Sequence, residues 1–225
     1  MTILTIRIKH TLAAGITLFC LTIGPVAQDR QGQADPTVSD MKVVGGRTYT
    51  NRSFAFSLRL PEGWTAYGRD ASNSMMRRTE DAYAPADPAT EAKIRASVER
   101  TDTLLTAFKY PAGAGVALNP TFTVAAEPLV KGVKTGEDAL RRVRAGRLYM
   151  KYRTEVAEDI RAERIGGVEF AVMAERIFVG DLTVMQKYYM TTSKGYALGF
   201  VLVYAEDSDL KTLTEVINSV RFDRP

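Results

Sequence analysis

An α+β fold, an antiparallel sheet flanked by helices, is what this chain predicts. Four extended segments joined by glycine-containing turns form a meander in the second half. Amphipathic helical patterns precede and follow that meander. One segment, Tyr196-Ala197-Leu198-Gly199-Phe200-Val201-Leu202-Val203-Tyr204, is apolar on both faces and so requires cover on each side of the sheet.

The 225 residues, 45% hydrophobic and 25% charged, have the balance of an ordinary globular chain, and one domain is expected. Residues 1–27 read as a cleavable signal segment. Arg7 and Lys9 precede a weakly polar to apolar run from Thr11 to Ile23, and small residues follow up to Ala27, the expected last residue before the cut. The alternative is an uncleaved anchor through residues 11–27, which is short against the roughly 20 residues of a spanning helix. Lipidation at Cys20 is disfavoured because the bulky Phe19 precedes it. The expected location is therefore exported, periplasmic or secreted, with membrane tethering as the alternative and no membrane span after cleavage.

Cleavage would remove Cys20 and His10, the only residues of their kinds. It would also remove Arg7 and Lys9 from the 30 basic residues and none of the 26 acidic ones, leaving a formal charge of +2. A chain without cysteine must be stable in an oxidising compartment without disulfides, and the remaining length is enough to bury such a core.

Residues 28–42 read as a polar, disordered leader, and residues 43–225 as the domain. Its elements follow in order. Thr48-Tyr49-Thr50 and Phe54 to Leu60 predict two strands about an Asn51-Arg52 turn, and Trp64 opens a short extended piece. From Gly68 to Pro88 no period is sustained, so a long loop is expected. Asp87-Pro88 predicts an N-cap with a first-turn proline and a helix through Ile94 and Val98. Strands are expected at 104–108 and 121–125. Thr135 is placed to cap a second helix running to about Tyr149, with Glu137 and Asp138 in its first turn. The meander comprises 159–165, 168–179, 182–192 and 196–205, with 196–205 as a central strand. A last helix starts near Asp207 or Ser208, its stripe Leu210, Leu213, Ile217 and Val220 lying on the sheet.

The opening Tyr49-Thr50-Asn51 through Phe54 and Phe56 to Leu60-Pro61-Glu62-Gly63-Trp64 resembles the first strands of PsbP-like domains. The end resembles them too, in Gly195-Tyr196 leading into a buried strand and a final helix finishing in Ile217-Asn218-Ser219-Val220-Arg221-Phe222. The resemblance spans Tyr49 to Phe222. It implies a PsbP-like α/β/α sandwich and a role in binding or assembly, without a common enzymatic activity. Photosynthetic relatives support a photosystem, and bacterial relatives of the DcrB type are envelope lipoproteins. This chain departs from both in having no histidine in the domain and no lipidation context.

Loss of His and Cys excludes a Ser-His-Asp triad, a Cys-His dyad and an ordinary zinc site. Ser208-Asp209-Leu210-Lys211 and Lys134-Thr135-Gly136 fit two signatures of penicillin-binding enzymes in the wrong order, and helix capping by Ser208 and Thr135 accounts for both. Glu155, Glu158 and Asp159 could serve a carboxylate-dependent hydrolase, although acids between a helix and a strand are usually solvated. Asn51-Arg52-Ser53 fits a glycosylation acceptor. No catalytic, cofactor-binding or metal residue is assigned, and no cofactor is expected.

The best candidate for a binding face is the basic second helix. There Arg141, Arg144 and Lys151, or Arg144, Arg147 and Lys151, fall close to one side at helical spacing. An exported location points away from nucleic acid and towards an envelope protein, an anionic lipid or an envelope polymer. A solvated helix face is the bland alternative. The expectation is a non-enzymatic envelope binding or assembly module, with a small hydrolase and a passive structural protein as alternatives.

Overall fold

The computed structural model describes residues 47–77, 87–111, 114 and 116–223. The signal segment, residues 1–27, and the leader, residues 28–42, lie outside them. In chain order the elements are β1 (Thr48–Asn51), β2 (Phe56–Arg59), β3 (Thr65–Tyr67), α1 (Arg69–Arg77), α2 (Pro88–Arg100), β4 (Asp102–Phe108), β5 (Thr121–Pro128), α3 (Gly136–Gly146), a 3-10 turn (Arg147–Tyr149), β6 (Arg153–Ile165), β7 (Val168–Val179), β8 (Leu182–Ser193), β9 (Tyr196–Tyr204), α4 (Asp207–Asn218) and β10 (Arg221–Phe222).

Seven strands form one antiparallel sheet in the order β3-β4-β5-β9-β8-β7-β6, and β1-β2-β10 form a second, smaller sheet. The expected meander is present, and β9 is the middle strand of the seven. Its two-residue hairpin turns account for the register. Gly166 and Gly167 both take positive φ between the paired residues Ile165 and Val168. Lys194 and Gly195 do the same between Ser193 and Tyr196, the geometry whose twist matches antiparallel strands.

Alternation along β9 sorts its side chains between two cores. Leu198, Phe200 and Leu202 join Phe56 and Leu58 of the small sheet, Leu213, Val216 and Ile217 of α4, and Phe122 and Phe170 of the large sheet. Phe200 is the centre of that core: its ring stacks 5.4 Å from Phe170 and 6.1 Å from Phe122, and meets Phe56 edge-on at 5.5 Å. Ala197, Val201 and Val203 face the other way, into a core shared with Ala139, Leu140 and Val143 of α3. The small sheet and α4 therefore cover one face of the large sheet, and α3 covers the other.

Three expectations are corrected. The stretch 68–88 is not all loop, since Arg69–Arg77 is helical; residues 78–86 lie outside the described ones. Strand β6 begins at Arg153, so Glu155, Glu158 and Asp159 lie on a strand and not before it. Helix α4 has Glu206 as its N-cap with no side-chain bond, so Ser208 sits in the first turn and does not cap. Thr135 caps α3 as expected: its hydroxyl accepts from the Asp138 N–H while the Asp138 carboxylate accepts from the Thr135 N–H.

Candidate functional site

Helix α3 is seated on the sheet by its sequence. Gly136 in its first turn lies against β8, where an added Cβ would overlap the Met190 carbonyl oxygen. Ala139, Leu140 and Val143 then face inward. At Gly146 the helix tightens into the 3-10 turn, which carries Arg147 inward.

Arg147 is 8% exposed, so it does not share an exposed face with Arg141, Arg144 and Lys151. Its Nε donates to Glu175 Oε2 at 2.5 Å and an Nη2 proton goes to Gln186 Oε1 at 3.2 Å. Tyr188 donates to the same Gln186 oxygen at 2.5 Å, and the guanidinium lies 5.3 Å from the Tyr188 ring centre. Glu175 and Gln186 are register partners on β7 and β8, so the pairing of these strands builds the receptor for Arg147. The physical reason for the correction is the tighter 3-10 turn: a residue spaced for the solvent face of a continued α-helix is rotated onto the sheet.

The other three stay at the surface. Arg141 pairs with Glu137 one turn back at 2.5 Å, and Arg144 reaches across to Asp159 of β6 at 3.0 Å. Lys151, beyond the helix, is exposed and has no ion pair among the described residues. Between the buried Arg147 and the buried Met150 stands Leu148, 86% exposed. The Met150 N–H donates to the Arg147 carbonyl at 3.1 Å, which closes the turn. Leu148 is thus a large apolar side chain held out to solvent on a turn anchored at both ends. Val156, 39% exposed, lies on the same side of the sheet as Glu175, with which it is paired.

Between Ala139 and Thr154 the sequence contains six cations and no carboxylate. That run was a legible signal for the patch; Leu148 was not, because it falls off the apolar stripe of α3 and looks like any helix-end leucine.

A second cluster lies on the opposite face of the sheet. Two bulges in β6, at Val156/Glu158 and Glu158/Arg161, keep Glu155, Glu158 and Arg161 on one side, opposite Arg176, Ala174 and Val172 of β7. Glu158 and Lys187 sit on strands flanking β7 and join over the small Ala174, with Nζ 3.1 and 3.0 Å from the two carboxylate oxygens. Glu155 is paired with Arg153 and with Arg176 at 3.9 Å, and Arg161 with Glu163 at 2.6 Å. Beneath them, burial raises the Tyr189 hydroxyl well above the usual tyrosine range. Burial, with Glu158 nearby, pushes Tyr204 up to about 12.

The carboxylates flagged for a hydrolase are therefore divided, Glu155 and Glu158 on one face and Asp159 on the other, each already paired with a base. A shallow polar groove of about 410 Å³ between the small sheet and α4 is lined by Thr48, Ser57, Arg59, Glu215 and Asn218 among others, with Glu215 its sole carboxylate. No group of metal-ligating side chains occurs among the described residues. Asn51, in the glycosylation pattern, is engaged locally: its amide donates to Tyr49 Oη at 3.0 Å and accepts from the Phe54 N–H at 3.0 Å.

The layered sheet and its helices define the class as a PsbP-like α+β domain. No family model and no curated protein sequence matches the chain. Among solved structures, cyanobacterial PsbP from Synechocystis sp. aligns with a TM-score of 0.50 and 14% identity, over 84% of this chain and 100% of that one. LpqN, involved in cell envelope biogenesis of Mycobacterium tuberculosis, aligns with a TM-score of 0.46 and 12% identity, over 81% of this chain and 88% of its own. A protein of Bacteroides thetaiotaomicron gives 0.43 and 12%, over 80% of this chain and 49% of its own.

Proposed function

We propose that this chain is an exported, non-enzymatic binding or assembly module of the bacterial cell envelope, and that it engages its partner through the end of α3. The signal-like residues 1–27 support the compartment. Among the described residues no helix is long and apolar enough to cross a membrane. The observation that carries the reading is Leu148, 86% exposed on an anchored turn that follows Arg141 and Arg144 of α3 and precedes the exposed Lys151. Leaving a leucine in water forgoes about 1.5–3 kcal/mol of burial, and a fixed apolar projection with a polar rim is how binding surfaces are built.

The test is a pull-down from envelope extract with the wild-type chain, with Leu148→Asp, and with Arg141, Arg144 and Lys151 changed to Glu. A discrete component recovered by the wild type and lost in both variants is the expected result. Equal recovery by all three would remove this surface from the reading. Sequencing the N-terminus of the protein recovered from cells tests the export step, with Gln28 the expected first residue.

A further inference from the structure

We propose that the free edge of β6 pairs with β6 of a second copy of this chain, antiparallel and with a two-fold axis at Glu158. Strand β6 ends the seven-strand sheet, is thirteen residues long and has no strand on its outer side among the described residues. Such an edge offers its unused backbone N–H and C=O groups to another extended chain. The order of charges along it singles out a second copy as that chain.

One face of β6 carries Arg153, Glu155, Glu158, Arg161 and Glu163, whose partners on β7 are Phe178, Arg176, Ala174, Val172 and Phe170. Because one bulge falls on each side of Glu158, these residues are spaced by two, three, three and two, the same read from either end. An antiparallel copy centred there sets Arg153 opposite Glu163 and Glu155 opposite Arg161, each pair occurring twice, and brings the bulges into step. On the other face the same register sets Val156, 39% exposed, opposite the partly buried Ile160. Bulges and charges ordinarily keep an edge from pairing. Here a slip of two residues either way would set Arg153 opposite Arg161 or Glu155 opposite Glu163, so the charges that deter other pairings select this one. Only Glu158 meets its own copy, and Lys187 holds each of those carboxylates, with Nζ 3.1 and 3.0 Å from its oxygens. The pairs given up, Arg161 with Glu163 at 2.6 Å and Arg153 with Glu155, join partly exposed side chains and cost little to exchange. The contact consumes β6 in both copies, and the opposite end of the seven-strand sheet is the three-residue β3, so association stops at a dimer.

The test is sedimentation velocity of the protein recovered from cells, across the micromolar range. The wild type should pass from monomer to dimer and no further. Arg161→Glu sets like charges opposite each other twice and should weaken dimerisation roughly tenfold, and adding Glu155→Arg should restore most of it. Lys93→Glu, exposed on α2, should change nothing. Circular dichroism checks that each variant is folded. Where Arg161→Glu fails that check, the same comparison is made with Arg153→Glu alone and together with Glu163→Arg. A wild type that stays monomeric, oligomers that grow past the dimer, or a double variant as weak as the single one overturns the proposal.

Discussion

Arg147 and Arg142 are separated by five positions on one basic run and meet opposite fates. Arg147 reaches Glu175 and Gln186 with good geometry, so removing one partner strands a buried charge. Glu175→Ala should cost about 3–5 kcal/mol in urea unfolding, far more than the loss of an exposed pair such as Arg141–Glu137. Arg142 has buried Nε and Nη2 atoms with no hydrogen-bond partner. Desolvation depresses its pKa, with the nearby Glu127 opposing this and Arg100 adding to it. An unsatisfied donor costs about 1–3 kcal/mol, so Arg142→Met is expected to raise the melting temperature. A lower one would mean that attraction to Glu127, which Arg100 also serves, outweighs the stranded donors. Sequence spacing sets Arg147 beside Arg144 and Lys151 on an exposed side, because spacing on a helix says nothing of where the helix tightens.

At the scale of elements, α3 depends on its first turn. The overlap an added Cβ would make at Gly136 is with backbone, which cannot swing aside, so Gly136→Ala should lift the helix from β8 and destabilise by more than the roughly 1 kcal/mol expected for Thr135→Ala. The depressed carboxyl of Asp138, held by the N–H groups of Lys134 and Thr135, adds an acid dependence. Its contribution is present above the ordinary carboxylate range and is lost as pH falls through the lowered folded value. Helix α1 shows why part of the fold was illegible. Arg69–Arg77 has no apolar period because polar tertiary bonds hold it: Asn73 donates to Asp102 at 3.1 Å and accepts from the Thr103 N–H at 2.7 Å, and Ser72 donates to the Tyr67 carbonyl at 2.9 Å. Periodicity finds helices seated by apolar stripes, as α4 is, and misses those seated by single polar side chains. The bulges of β6 escaped for a related reason, since Glu155, Glu158 and Arg161 share a face at a spacing no strand period would suggest.

For the whole molecule, the raised hydroxyls of the buried Tyr189 and Tyr204 bear on the alkaline limit. A hydroxyl with its folded pKa raised to about 12, as at Tyr204, stays protonated when the unfolded chain has already ionised near 10. Above that lower value the unfolded state therefore binds fewer protons than the native one, and stability falls as pH rises from about 10 towards 12. Absorbance of the phenolates should show a late group that titrates together with loss of the near-ultraviolet dichroism. Early, independent titration of every tyrosine would contradict the burial of Tyr189 and Tyr204. The sheet order was only half legible: the hairpins gave the β6-β7-β8-β9 run, but the return of β9 to β5, sixty-eight residues earlier at Pro128↔Tyr196 and eighty at Phe122↔Leu202, follows neither turn nor pattern and had no local signal.

The middle position of β9 also bears on the order of events for a chain that emerges from its N-terminus. Strands β3–β5 and β6–β8 are two separate sheets until Tyr196–Tyr204 arrives to join them, and the core around Phe200 has no centre before then. Cooperative folding must therefore wait for the final segment, which leaves the growing chain loose enough to be threaded through a narrow pore. A chain truncated after Gly195 should show no cooperative unfolding transition at all.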